Sequence, residues 1–129
     1  MTTTIEYCPV KVVMSYLGRR WTVDIIRDLM LGHKKFKDFL LLNKGLTNKV
    51  LSQRLKELEF AGLVDKTILC KKPRDIEYNL TEKGFRLNQV LYDLAQFSFE
   101  YHKKEIFSNE PLNKEDFVVL SRKMFQIDN

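Results

Sequence analysis

The sequence predicts a mainly α-helical chain with one small β-hairpin, an α+β architecture. Three observations predict it. Val50, Leu51, Leu55 and Leu58 recur at helical spacing and form one apolar stripe. Directly after Gly62, residues 63–70 are rich in β-branched side chains, and residues 74–80 alternate Ile76, Tyr78 and Leu80 against Asp75, Glu77 and Asn79. Lys71, Lys72 and Pro73 leave room only for a short basic tip between those strands.

Taken in order, residues 1–7 read as a frayed arm. Cys8-Pro9 opens a first helix, with proline at its first helical position and Cys8 as N-cap. Val10, Val13, Tyr16 and Leu17 form its apolar side, and Gly18 ends it. Residues 21–31 form a second helix with Trp21, Ile25, Ile26, Leu29 and Met30 inward, stopped by Gly32. Residues 33–36 read as a short strand or extended turn. A brief third helix covers 35–42, with Phe36, Phe39 and Leu40 toward the core, and Asn43-Lys44-Gly45 turns the chain. A fourth helix spans 47–61, with Thr47 as N-cap and Gly62 at the left-handed position beyond its end. After the hairpin, Thr81 caps a helix expected to run unbroken to Tyr101. A polar connection at 102–111 and a last helix over 113–125 follow, capped by Asn113. The organisation predicted is a main unit at 7–101 and a C-terminal extension at 102–129.

A helix with a polar outward face, followed at once by a hairpin with a cationic tip, is the arrangement of a winged helix-turn-helix. Charge placement agrees. The chain carries a formal +5; residues 33–86 hold 13 Lys and Arg against 7 Asp and Glu, a net +6, and the rest nets −1. That is the footprint of a binder of phosphate backbones, although a solvated basic surface has the same composition. The expected partner is therefore double-stranded DNA. Thr47, Asn48, Lys49, Ser52 and Gln53 occupy the exposed N-terminal part of the fourth helix, where base edges are read; the amides of Asn48 and Gln53 suit adenine. Lys34, Lys35, Lys37 and Lys56 are candidates for phosphate, and Lys71, Lys72 and Arg74 belong to the wing. Arg54 lies nearer the apolar stripe and suits an ion pair as well as DNA.

The helix from 81 carries apolar residues on more than one side: Phe85, Leu87, Val90, Leu91, Tyr92, Leu94, Ala95, Phe97, Phe99 and Tyr101. It must be covered on more than one side. The expectation is a homodimer through residues 81–101 and the N-terminal helix; the other reading has residues 102–129 cover the extra face within one chain.

The composition excludes several classes. No run approaches 18 apolar residues, so no transmembrane helix is expected, and the first ten residues lack the pattern of a signal peptide. A cytoplasmic chain with two free thiols is expected. Two cysteines and two isolated histidines have no metal-ligand spacing, and no phosphate loop, nucleophile elbow or triad motif is present; no metal, no cofactor and no enzymatic activity are predicted. Cys8 is the one reactive candidate, because N–H groups at a helix start favour a thiolate; a small buried residue is the other reading. Cys70 reads as structural or incidental.

The stretches CPVKVVMSYLGRRW, LTNKVLSQRLKELEFAGLV and RDIEYNLTEKG resemble the HxlR-type winged-helix regulators, relatives of the MarR group. The likeness covers roughly residues 7–101. It implies a dimer joined through terminal helices, binding an inverted-repeat operator, and in some members a sensor cysteine at the position of Cys8. Arg19-Arg20 stands where Gly-Lys is commoner, and the tail beyond 102 is longer than the pattern. The rival function is a winged helix that binds protein instead of DNA; Phe60 is the one apolar residue on the outward side of the fourth helix.

Overall fold

A computed structural model describes residues 4–128; the first three residues of the expected N-terminal arm lie outside the described part. The chain runs α1 (Pro9–Leu17), α2 (Thr22–Met30), α3 (Phe36–Leu42), α4 (Asn48–Phe60), β1 (Val64–Lys71), β2 (Arg74–Leu80), α5 (Glu82–Phe85), α6 (Asn88–Tyr101), α7 (Lys103–Ile106) and α8 (Lys114–Met124). The winged helix-turn-helix expected from the sequence is the fold observed. Its centre is an almost fully buried set, Ile25 and Ile26 from α2, Phe39 from α3, Leu51, Leu55 and Leu58 from α4, and Leu63 and Val64 entering β1. Burial of each such side chain contributes about 1.5–3 kcal/mol.

Trp21 adopts a left-handed conformation, φ 78°, so α2 begins one residue later than the periodicity suggests. Its indole lies against Gly45, where an added Cβ would sit 3.7 Å from the ring, so the start of α2 packs on the turn ahead of α4. Arg20 stacks over the same ring at 5.1 Å. The far end of α2 is tied to that turn by buried polar groups. Asn43 Nδ2 donates to Asp28 Oδ2 at 2.7 Å and to the Phe39 carbonyl at 2.8 Å, while Arg27 Nη2 donates to Asp28 Oδ1 at 3.1 Å.

β1 and β2 pair antiparallel from Val64↔Leu80 to Lys71↔Arg74. The register shifts between Ile68 and Cys70, leaving Leu69 as an extra residue, a β-bulge. On its other side β2 meets the segment before α3, where the Tyr78 N–H donates to the Lys34 carbonyl at 2.9 Å.

The helix expected to run unbroken from 81 to 101 is two helices, with a turn at Arg86 and Leu87. The first of them packs closely at Gly84, where a Cβ would lie 2.1 Å from the Leu63 carbonyl oxygen. α5 is thus pressed onto the start of β1, held by the Thr81 hydroxyl donating to the Gly62 carbonyl at 2.6 Å. The chain then turns at Arg86 and Leu87 and starts α6 at Asn88.

The C-terminal extension folds back on α6. Phe117 stacks on Phe99 at 4.4 Å, with Phe107 edge-on to both. Gln96 Nε2 donates to Ser121 Oγ at 2.8 Å, and Asn88 Nδ2 to the Phe125 carbonyl at 3.0 Å. Phe125 is buried in the central core, and Gln126 Nε2 donates to the Met30 carbonyl at 2.9 Å. The tail therefore covers one side of α6 within the chain. The opposite row, Val90, Leu94, Phe97 and Tyr101, stays exposed, as do Val10, Val12 and Met14 on α1.

Candidate nucleic-acid interface

α4 owes its start to Thr47, whose hydroxyl accepts from the Val50 N–H at 3.2 Å, and its end to Gly62, φ 78°. With the Leu51, Leu55, Leu58 stripe buried, geometry leaves Lys49, Gln53 and Lys56 outward, and Asn48 is exposed at the helix start. Thr47 is exposed at the same end, and Ser52 is half-buried at the margin of that face. Phe60 stands 96% exposed at the far end. Arg54 points the other way: Nε donates to the Arg20 carbonyl at 2.8 Å and Nη1 to Glu57 at 3.2 Å, so it braces α4 against the link before α2. Arg19 meets the same Glu57 carboxylate at 3.5 Å.

The hairpin tip presents Lys71, Lys72 and Arg74, all exposed and without a carboxylate partner among the described residues. Lys37 on α3 is exposed in the same way. The two preceding lysines differ. Lys35 Nζ is 2.7 Å from Asp75 Oδ1 and Lys34 Nζ is 3.8 Å from Glu77 Oε1, so both are paired to β2 of the wing. An open cavity of about 540 Å³ lies between α3 and β2, lined by Phe36, Ile76 and Tyr78 with Lys35, Lys37, Arg74 and Asp75. Burial pushes the Tyr78 phenol above its ordinary 10.0; nearby Glu59 adds to the rise and Arg74 opposes it. The phenol therefore stays protonated and uncharged near neutral pH.

The sequence reading missed Lys44, an exposed cation in the turn ahead of Thr47; its position three residues before the N-cap was the available signal. It also took Asp75 and Glu77 simply as the solvent side of a strand. Cys8 is exposed at the N-cap of α1 in the single chain, and its side chain makes no capping hydrogen bond. Cys70 is also a free, exposed thiol, and its Sγ lies 3.5 Å from the Lys72 carbonyl. Among the described residues no group of three or more metal-ligating side chains is found, and no helix is long and apolar enough to cross a membrane.

The chain is similar to known proteins over most of this fold. It is 34% identical over 97 residues to the uncharacterized HTH-type transcriptional regulator YvaP of Bacillus subtilis (strain 168), spanning 74% of this chain and 90% of that one. It is 36% identical over 95 residues to the HTH-type transcriptional regulator YodB of the same organism, covering 73% and 85% of the two chains. The solved reduced form of YodB superposes with a TM-score of 0.66, covering 76% of this chain and 97% of that one at 34% identity. YodB has also been solved quinone-bound and diamide-treated. The reduced form of the redox regulator HypR matches with a TM-score of 0.68 at 26% identity, covering 72% and 92%. Residues 16–106 match the HxlR-like helix-turn-helix family, so this helix-turn-helix transcriptional regulator is a member of it.

Proposed function

We propose that the chain binds an inverted-repeat operator as a homodimer, with α4 in the major groove and the hairpin tip against neighbouring backbone. The observation that carries this is the exposed polar face of α4 in a chain that also exposes Lys37 on α3 and Lys71, Lys72 and Arg74 on the wing, none with a carboxylate partner among the described residues. The dimer is supported by the row Val90, Leu94, Phe97 and Tyr101. Its four–three–four spacing is the seam of a helix pair, and all four side chains are exposed. In a two-fold pair the two α4 helices enter successive major grooves roughly 34 Å apart. Selection of bound sequences from random duplexes tests the reading; a palindromic result is expected, and unselected retention would overturn it.

Two substitutions separate reading from gripping. Gln53→Ala is expected to lose about 1–3 kcal/mol of discrimination at one base position with little change in salt dependence. Lys72→Ala is expected to weaken all duplexes alike and lower the salt slope by about 1. Equal salt slopes for wild type and Lys72→Ala would remove the wing from the interface.

Cys8 is the proposed redox- or electrophile-responsive residue. Its exposure at a helix start supports this, as do relatives solved in reduced, oxidised and quinone-bound states. Diamide is expected to weaken operator binding roughly tenfold in wild type and not in Cys8→Ser. Equal responses from the two proteins would exclude Cys8.

A further inference from the structure

Two carboxylates on β2, Asp75 next to the hairpin tip and Glu77 further along the strand, face lysines that the sequence alone assigns to the DNA backbone. Asp75 holds Lys35 at 2.7 Å and Glu77 holds Lys34 at 3.8 Å, the first pair bridging 40 positions of chain. We propose that Asp75 and Glu77 set DNA selectivity by neutralising Lys35 and Lys34. This inference rests on the reading of the chain as a duplex binder.

Non-specific binding to duplex DNA is almost wholly counterion release, and it scales with the number of cations brought to phosphates. A lysine that already has a carboxylate beside it brings no counterion-releasing charge until that partner is displaced. The two pairs thus withhold two cations from the sequence-independent term. They leave untouched the α4 face carrying Asn48, Lys49 and Gln53, where sequence is read. The same contacts position the wing. Together with the Tyr78 N–H to Lys34 carbonyl bond at 2.9 Å, they fasten β2 to the segment that leads into α3. Stability is a weak reason for their presence. The four side chains are between 26% and 48% exposed, and pairs so open to water contribute little to folding. Asp75 and Glu77 are therefore positioning residues that act through the lysines.

The test is a salt series with the full chain, on a random-sequence duplex and on the selected operator. Asp75→Asn and Glu77→Gln are each expected to tighten random-duplex binding roughly 3- to 10-fold near 0.1 M salt and to steepen the salt slope by about 0.9. Operator binding gains less, because the wing is no longer held, so the operator-to-random ratio falls. Adding Lys35→Gln to Asp75→Asn is expected to cancel the gain. Asp65→Asn supplies the control: it removes the same charge from an exposed position on β1 of the same hairpin. Thermal unfolding establishes that each variant is folded. An Asp65→Asn gain equal to that of Asp75→Asn, or an unchanged salt slope in both β2 variants, would overturn the inference and leave the DNA reading standing. A wild-type chain that binds neither duplex would overturn that reading, and the inference with it.

Discussion

Asp28→Ala is expected to destabilise the fold by about 2–4 kcal/mol, which for a chain of this size lowers Tm by roughly 10 °C. Asp28 is 2% exposed and accepts from both Asn43 and Arg27. Its removal leaves one amide hydrogen of Asn43 without its partner in a site closed to water, and takes the stronger of two carboxylates from Arg27. The loss stays below that of a fully enclosed ion pair for two reasons. The Arg27 side chain is 37% exposed, and it keeps Asp24 at 3.2 Å. Asp28→Asn is expected to lose about half as much, since an amide oxygen still accepts from Asn43. The effect reaches the exposed face of α4, because Asn43 holds the turn from which that helix departs. Circular-dichroism melting of the two variants checks the ranking; a loss under about 1 kcal/mol for alanine would show that the network is incidental.

Gly84→Ala is the second large effect, about 3 kcal/mol, at the upper end of overpacking costs. A methyl group there meets the Leu63 carbonyl oxygen at 2.1 Å and the Leu80 side chain at 3.0 Å. A side chain can rotate out of the way, whereas the carbonyl accepts the Thr81 N–H at 3.0 Å and is fixed by it. Relief requires α5 to lift from β1, which also shifts α6. Urea unfolding measures the cost, and a midpoint within error of wild type would mean that the close approach is easily relaxed.

How far the sequence could be read depended on the range of the interactions involved. The N-cap at Thr47, the left-handed Gly62, the stripe of α4 and the alternation of β2 are fixed by neighbours a few residues apart, and these were legible. So were the outward positions of Lys49, Gln53 and Lys56, which follow from the helical period once the stripe is known. The break at Arg86 and Leu87 was not legible, and neither was the close approach of Gly84 to a carbonyl 21 positions earlier in the chain. The stacking of Phe117 on Phe99 and the pairing of Lys35 with Asp75 also depend on the tertiary fold. A residue-by-residue reading sees a lysine near a positive surface and assigns it to phosphate. Only the assembled chain reveals the acid beside it.

The extra residue at Leu69 has a bearing on how copies of this chain behave when crowded. β2 is flanked on both sides, by β1 and by the Lys34 carbonyl, whereas among the described residues the outer edge of β1 has no strand beside it. That edge also carries the exposed apolar side chains of Ile68 and Leu69. A straight ribbon there would be a template for strand addition and aggregation. The bulge interrupts the ladder at the apolar stretch, and Lys66 and Lys71 flank it with like charge, two devices that discourage edge-to-edge pairing.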